Sequence, residues 1–214
     1  MLEFDILPVT PFAQNTTLVW CSQTRCAALI DPGGEVDRLL DAVGQRGLSL
    51  QRIWLTHGHL DHCGGALEIR ERSGVAIEGP HPDDAFWIDA MAQQAQWFGF
   101  GSPRSFTPDR WLHEGDTVTL GLLSFEVYHT PGHTPGHVVF FNREARWAQV
   151  GDVLFRGSIG RTDFPRGDHA QLLASIRHKL WPLGRDIAFV PGHGPMSTFG
   201  DERDDNPFVA DGQR

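Results

Sequence analysis

The chain has 214 residues, of which 40% are hydrophobic and 21% charged, and its formal net charge is −9. That length and apolar content predict a folded core and one domain spanning 1–214. The acidic balance argues against nucleic-acid or anionic-membrane partners, whose phosphates would be repelled.

Residues 2–9 read as a strand, as do 17–21 and 26–30, the last ending at Asp31-Pro32-Gly33-Gly34. Val36, Leu39, Leu40 and Val43 recur at helical spacing and predict a helix over 35–46. Ile53-Trp54-Leu55-Thr56 is a buried strand, 64–73 a helix and 75–78 another strand. Residues 83–98 form a helical stretch with an aromatic face, whose expected role is core packing, with a substrate groove or a dimer contact as the alternatives. A Gly/Pro loop follows at 99–108, then strands at 117–120, 122–129, 137–142 and 146–150. A helix over 168–180, a strand at 186–190 and a short helix at 198–204 complete the chain. Strands in both halves with interspersed helices suggest two packed sheets covered by helices.

Cys21, Cys26 and Cys63 are odd in number and match no disulfide or zinc-finger spacing. Met1 to Asp5 lacks a basic and apolar leader, and no apolar run reaches membrane-spanning length. The expected location is therefore the cytoplasm.

The densest chemical signal is Thr56-His57-Gly58-His59-Leu60-Asp61-His62, directly after a buried strand. Imidazole and carboxylate together suit borderline divalent ions. Four such groups this close would be costly to desolvate without a cation. Pro131-Gly132-His133, Val150-Gly151-Asp152 and Pro191-Gly192-His193-Gly194 each place one His or Asp beside glycine after an apolar run. Alone, each fits a structural residue; four strand ends together point to one site.

The H-x-H-x-D-H string followed by His133, Asp152 and His193 resembles the metallo-β-lactamase superfamily. Gly151-Asp152-Val153-Leu154-Phe155, the run from Gly157 to Phe164 and Pro191-Gly192-His193-Gly194-Pro195 resemble its glyoxalase II branch, the hydroxyacylglutathione hydrolases. The short bacterial members are the nearest match. The resemblance implies an α+β fold, the αββα sandwich of two mixed sheets flanked by helices, with the site at the sheet edge. It implies that His57, His59 and His133 hold one metal ion, that Asp61, His62 and His193 hold a second, and that Asp152 bridges them. Zn is the first choice for both, with Fe or Mn also suited. A hydroxide shared by ions about 3.5–4 Å apart would attack a thioester such as S-lactoylglutathione. Asp61 would orient it, so Asp61 and Asp152 are the catalytic candidates. A thiolate leaves with little general-acid help.

Only 21 residues follow His193 (214 − 193), too few for the helical domain that binds glutathione in full-length glyoxalase II. Arg161 and Arg166 are therefore candidates for the substrate carboxylates, against ion pairs with Asp163 or Asp168. A resemblance to persulfide dioxygenases through Gly160-Arg161-Thr162-Asp163-Phe164 implies an alternative. In it, one iron on His57, His133 and Asp152 would oxidise glutathione persulfide. His137 reads as structural and His129 as no ligand. His81, His113, His169 and His178 read as surface residues, and Cys63 as a small buried one.

Overall fold

The computed structural model describes residues 1–99, 101 and 103–212. The chain begins with β1 (Leu2–Val9), β2 (Gln14–Cys21) and β3 (Cys26–Ile30), paired antiparallel in that order. Helix α1 (Val36–Gln45) crosses over, so β4 (Ser49–Trp54) runs parallel to β3. Helices α2 (Leu60–Cys63) and α3 (Ala66–Ser73) lead to β5 (Ala76–Glu78), parallel to β4, and complete a five-stranded sheet.

Helices α4 (Ala85–Asp89) and α5 (Met91–Phe98) precede a second sheet. Its meander is β6 (Thr117–Leu120), β7 (Leu123–His129), β8 (Val138–Asn142) and β9 (Trp147–Gly151). A small hairpin, β10 (Leu154–Phe155) and β11 (Ser158–Ile159), and helix α6 (His169–Ser175) follow. Strand β12 (Ala188–Pro191) then adds parallel to β9, and β13 (Ser197–Thr198) pairs antiparallel with β12. Helix α7 (Phe199–Asp205) covers this edge.

Alternation along the strands builds three apolar layers, because successive side chains point to opposite faces. Ala27 and Leu29 pack with Leu39 and Val43 of α1, whereas Ala28 and Ile30 face the other sheet. Val138 and Phe140 face inward between the sheets, whereas Val139 and Phe141 pack against Leu172, Ile176 and Phe199. Trp54 lies in the middle layer, stacked 5.5 Å from Phe140 and edge-on to Phe125 at 5.0 Å. Truncating so buried a tryptophan costs about 3–5 kcal/mol. Strands β2, β8 and β9 are buried throughout. The architecture is the expected α+β sandwich, two mixed sheets between helical layers.

Several boundaries differ from the sequence reading. The strand read over Ile53–Thr56 is β4 (Ser49–Trp54), so Leu55 and Thr56 lie past its end, and the helix read over 64–73 starts at Ala66. Strand β2 starts at Gln14 rather than 17, because Gln14, Asn15 and Thr16 are polar yet buried beside the site. The single helix expected over 83–98 breaks at Ala90 into α4 and α5. The helix expected over 168–180 ends at Ser175 and widens into a π turn over Ile176–Leu180.

Candidate metal centre

The centre sits where the C-terminal ends of β4, β9 and β12 meet. Asp31, at the end of β3 with φ 52, organises the first segment. Its Oδ1 accepts from Thr56 N at 2.7 Å, and its Oδ2 accepts from Thr56 Oγ1 at 2.6 Å and from His62 Nδ1 at 3.0 Å. With its proton committed to Asp31, Thr56 Oγ1 accepts from His57 Nδ1 at 3.0 Å. Two turns of chain are thereby set by one carboxylate.

The second sheet supplies the rest. His133 Nδ1 donates to Arg161 O at 2.7 Å. The Asp152 amide donates to His137 Nε2 at 3.0 Å, and His137 stacks on His57 with ring centroids 4.8 Å apart. His137 thus holds two site residues in place and remains a structural residue, as expected. Asn15 Nδ2 donates to Pro191 O and Gly194 O at 3.1 and 2.8 Å, which fixes the loop of His193. His193 Nδ1 donates to Phe12 O at 3.1 Å.

These partners assign the tautomers. In His57, His62, His133 and His193 one nitrogen donates to oxygen, and in all four the other nitrogen points inward, free to bind an ion once unprotonated. His57 Nε2 and His133 Nε2 lie 3.0 and 3.1 Å from His59 Nδ1. His62 Nε2 lies 3.4 Å from Asp152 Oδ1 and 3.8 Å from Asp61 Oδ2. His193 Nε2 lies 3.2 Å from Asp61 Oδ2 and 3.7 Å from Asp152 Oδ2. Asp152 Oδ2 is also 3.5 Å from His133 Nε2, so this carboxylate touches both groups. His62 Nε2 and Asp152 Oδ1 are buried without a hydrogen-bond partner.

Inward-facing imidazole nitrogens and two carboxylates gathered at this spacing in a buried spot are the donor set a cation takes up. Ligands about 2.0–2.1 Å from a tetrahedral ion lie about 3.3–3.4 Å apart, which matches these separations. The outward hydrogen bond from each imidazole is the arrangement that orients metal-binding histidines. His57, His59 and His133 form one compact donor group, and Asp61, His62 and His193 form another. The chain's own donors therefore suit divalent transition ions.

The electrostatics agree. Burial, reinforced by neighbouring imidazoles, holds His57, His59 and His137 well below their ordinary 6.5. Burial acts the same way on His62, but the Asp152 and Asp61 carboxylates outweigh it and hold His62 well above that value. Burial would raise Asp152, yet the charges of His62, His133 and His193 hold it well below the usual carboxylate range. The carboxylates here draw positive charge into the centre, onto His62 in the metal-free protein.

A groove of about 570 Å³ opens over the cluster. The aromatic stretch 83–98 does not serve the core alone. Met91 and Ala95 are buried in it, but Trp87, Gln94, Trp97 and Phe98 wall the groove, with Trp97 53% exposed. Helix α5 lies over the centre with one side turned to the mouth. Arg161 also lines the groove, paired with Asp163 through two contacts of 2.6 Å and lying 4.2 Å over the Phe164 ring. Arg166 is not brought there: its guanidinium stacks 4.0 Å over the Phe86 ring. Cys63 is buried and its Sγ donates to His59 O, the bland role expected of it. His81 is half-buried rather than a plain surface residue, with rings of His129 and His113 at 4.0 and 4.9 Å.

Sequence reasoning missed Asp31, Asp84, Gln94 and Arg156. Asp31 carried the signal used elsewhere, an Asp beside glycines after an apolar run, but Pro32 made it read as a turn. Arg156 lines the groove from the β10–β11 turn. Nothing in its neighbourhood set it apart.

The metallo-beta-lactamase superfamily matches residues 9–193. The chain belongs to the metallo-β-lactamase superfamily. Within it, the chain is 47% identical over 209 residues to the hydroxyacylglutathione hydrolase GloC of Haemophilus influenzae, covering 97% of this chain and 98% of that one. It is similar to a di-iron-bound form of TTHA1623, with a TM-score of 0.88 and 36% identity over 96% of this chain and 100% of that chain. It is also similar to ETHE1 from Myxococcus xanthus, with a TM-score of 0.81 and 28% identity over 97% of this chain and 84% of that chain. The superfamily binds divalent metal ions, in keeping with the donor set above. Among the described residues no helix is long and apolar enough to cross a membrane.

Proposed function

We propose that the protein is a dinuclear metal-dependent thioesterase acting on a hydroxyacylglutathione. The observation that carries the reading is the convergence of five imidazoles and two carboxylates at the spacing of metal ligands. His57, His59 and His133 would hold one ion and Asp61, His62 and His193 the other, with Asp152 near both groups. Bound there, a pair of divalent ions supplies a water acidic enough to attack at neutral pH and a Lewis acid for the carbonyl oxygen.

The chain's own groups do the remaining work. Asp61, partly open to the groove, accepts a hydrogen bond from the attacking water and aims it. Asp152, nearly enclosed, keeps the two donor groups in register. Trp87, Trp97 and Phe98 exclude bulk water from the thioester. Arg161 and Arg156 meet the carboxylates of the thiol carrier. The leaving thiolate, from a thiol of pKa about 8.5, departs without an acid. The likeness to GloC supports glutathione as that carrier.

Metal-loaded protein should release thiol from S-lactoylglutathione, and chelation should abolish the release. Protein with both ions bound and no thiol release above background would overturn the substrate assignment. The likeness to ETHE1 favours a second reading, oxidation of glutathione persulfide at a single iron. Persulfide-dependent oxygen uptake with one iron per chain would select it. The Gly192-His193-Gly194 surround supports hydrolysis instead.

A further inference from the structure

Asp84 is a fully buried carboxylate that touches neither solvent nor a cationic side chain in its hydrogen bonding. Its Oδ2 accepts from Gly58 N at 2.9 Å and from Thr134 Oγ1 at 2.8 Å, and its Oδ1 accepts from Gly136 N at 2.6 Å. Gly58 lies between His57 and His59, and Thr134 follows His133. The first loop leaves β4 of one sheet, and the second joins β7 to β8 of the other. One side chain therefore ties together the two backbone segments that carry three imidazoles.

The surroundings leave little slack. A Cβ on Gly58 would lie 2.7 Å from Trp87 Cβ and 3.0 Å from Asp84 O. A Cβ on Gly136 would lie 2.5 Å from Asp84 N and 2.7 Å from Asp84 Cβ. Gln94 grips the same loop: its Oε1 accepts from Leu60 N at 3.0 Å, and its Nε2 donates to Gly58 O at 3.2 Å and Trp87 O at 2.8 Å. Burying a carboxylate is costly unless donors surround it. Three donors from two loops do so here, so one rigid group helps set the separation of the loops, beside the backbone bond from Val138 N to Thr56 O at 2.8 Å.

We propose that Asp84 is a positioning residue that sets the spacing of His57, His59 and His133 for one metal ion. The proposal rests on the reading that these three imidazoles hold an ion. Asp84→Ala removes all three bonds. Asp84→Asn keeps the Gly58 and Thr134 bonds if its amide oxygen takes the Oδ2 position, but turns an N–H₂ toward the Gly136 N–H.

The test is titration of Co²⁺ into metal-free protein, followed by visible absorption, with thermal melting of each metal-free variant alongside. Wild type should take up two ions. Asp84→Ala should weaken one binding step by about 10–100-fold and leave the other unchanged, with Asp84→Asn between. A general loosening of the fold would weaken both steps. In a His193→Ala background, where one site is disabled, the remaining step should be the one sensitive to Asp84. If Asp84→Ala does not fold, Asp84→Asn and Thr134→Val carry the test, because each removes a single bond. Variants that bind both ions with wild-type affinity, or weaken both steps equally, would overturn the proposal alone. Wild-type protein that takes up no Co²⁺ would overturn the metal reading and this inference with it.

Discussion

His62 and Asp31 meet side chain to side chain at 3.0 Å, both with side chains fully buried, and this contact turns His62 Nε2 toward Asp152. Asp31 also takes both donors of Thr56, and Thr56 in turn orients His57. A residue outside both donor groups thus aims one imidazole of each.

Asp31→Ala should therefore damage both the fold and the site. Leaving buried donors unpaired costs about 1–3 kcal/mol each. Denaturant unfolding of the metal-free variant should show the loss of stability. Metal affinity should fall by about 10–100-fold, measured by competition with a chelator. Affinity equal to wild type would show that His62 and His57 hold their orientation without Asp31.

Gly192→Ala tests close packing at the centre. A Cβ there would collide with Asp152 Oδ1 and lie 2.6 Å from His62 Cε1. Shifting a site carboxylate by about 1 Å can cost about 10²-fold in rate. Steady-state thioester kinetics should show that loss, whereas the unfolding midpoint should change far less because the site is at the sheet edge.

Much of this centre was legible because its donors are concentrated in sequence. His57, His59, Asp61 and His62 fall within six positions, and His133, Asp152 and His193 each follow an apolar run. The supports were not legible, because each acts across a long stretch of chain. Asp31 reaches Thr56 and His62, Asp84 reaches Gly58 and Gly136, and Asn15 reaches Pro191. In sequence these are polar residues at turns. For the same reason β2 was read too short: Gln14, Asn15 and Thr16 break the apolar pattern because they serve the site. The aromatic stripe over 83–98 serves both a core and a groove, and such a stripe reads alike whichever it faces.

The metal-free protein should be most stable near neutral pH. His57, His59 and His137 are held neutral when folded, so unfolding takes up their protons and stability falls below their ordinary 6.5. His62 and His193 run the other way. Burial opposes their charge, but Asp152 and Asp61 raise both above 6.5. Their contribution is full below 6.5 and is lost as pH rises through their folded values. Bound ions replace those protons, so the alkaline decline should vanish in the loaded protein. Melting temperatures from about pH 5 to about pH 9, with and without chelator, would check this. An identical alkaline limb in both forms would contradict it.

Trp97→Ala should raise KM for the thioester and leave kcat near wild type, because an exposed groove wall binds ground and transition states alike. Its effect on stability should stay within about 0.5 kcal/mol, as for other surface substitutions. Michaelis kinetics beside thermal melting would separate the two. A loss confined to kcat would place Trp97 closer to the chemistry than the groove geometry does.

Metal content per chain is the most direct test of the centre. After loading with Zn²⁺ and removal of free ion, elemental analysis should find two ions in wild type and one in His193→Ala. A folded wild-type protein that retains no ion, or a His193→Ala variant that retains as many as wild type, would contradict the account.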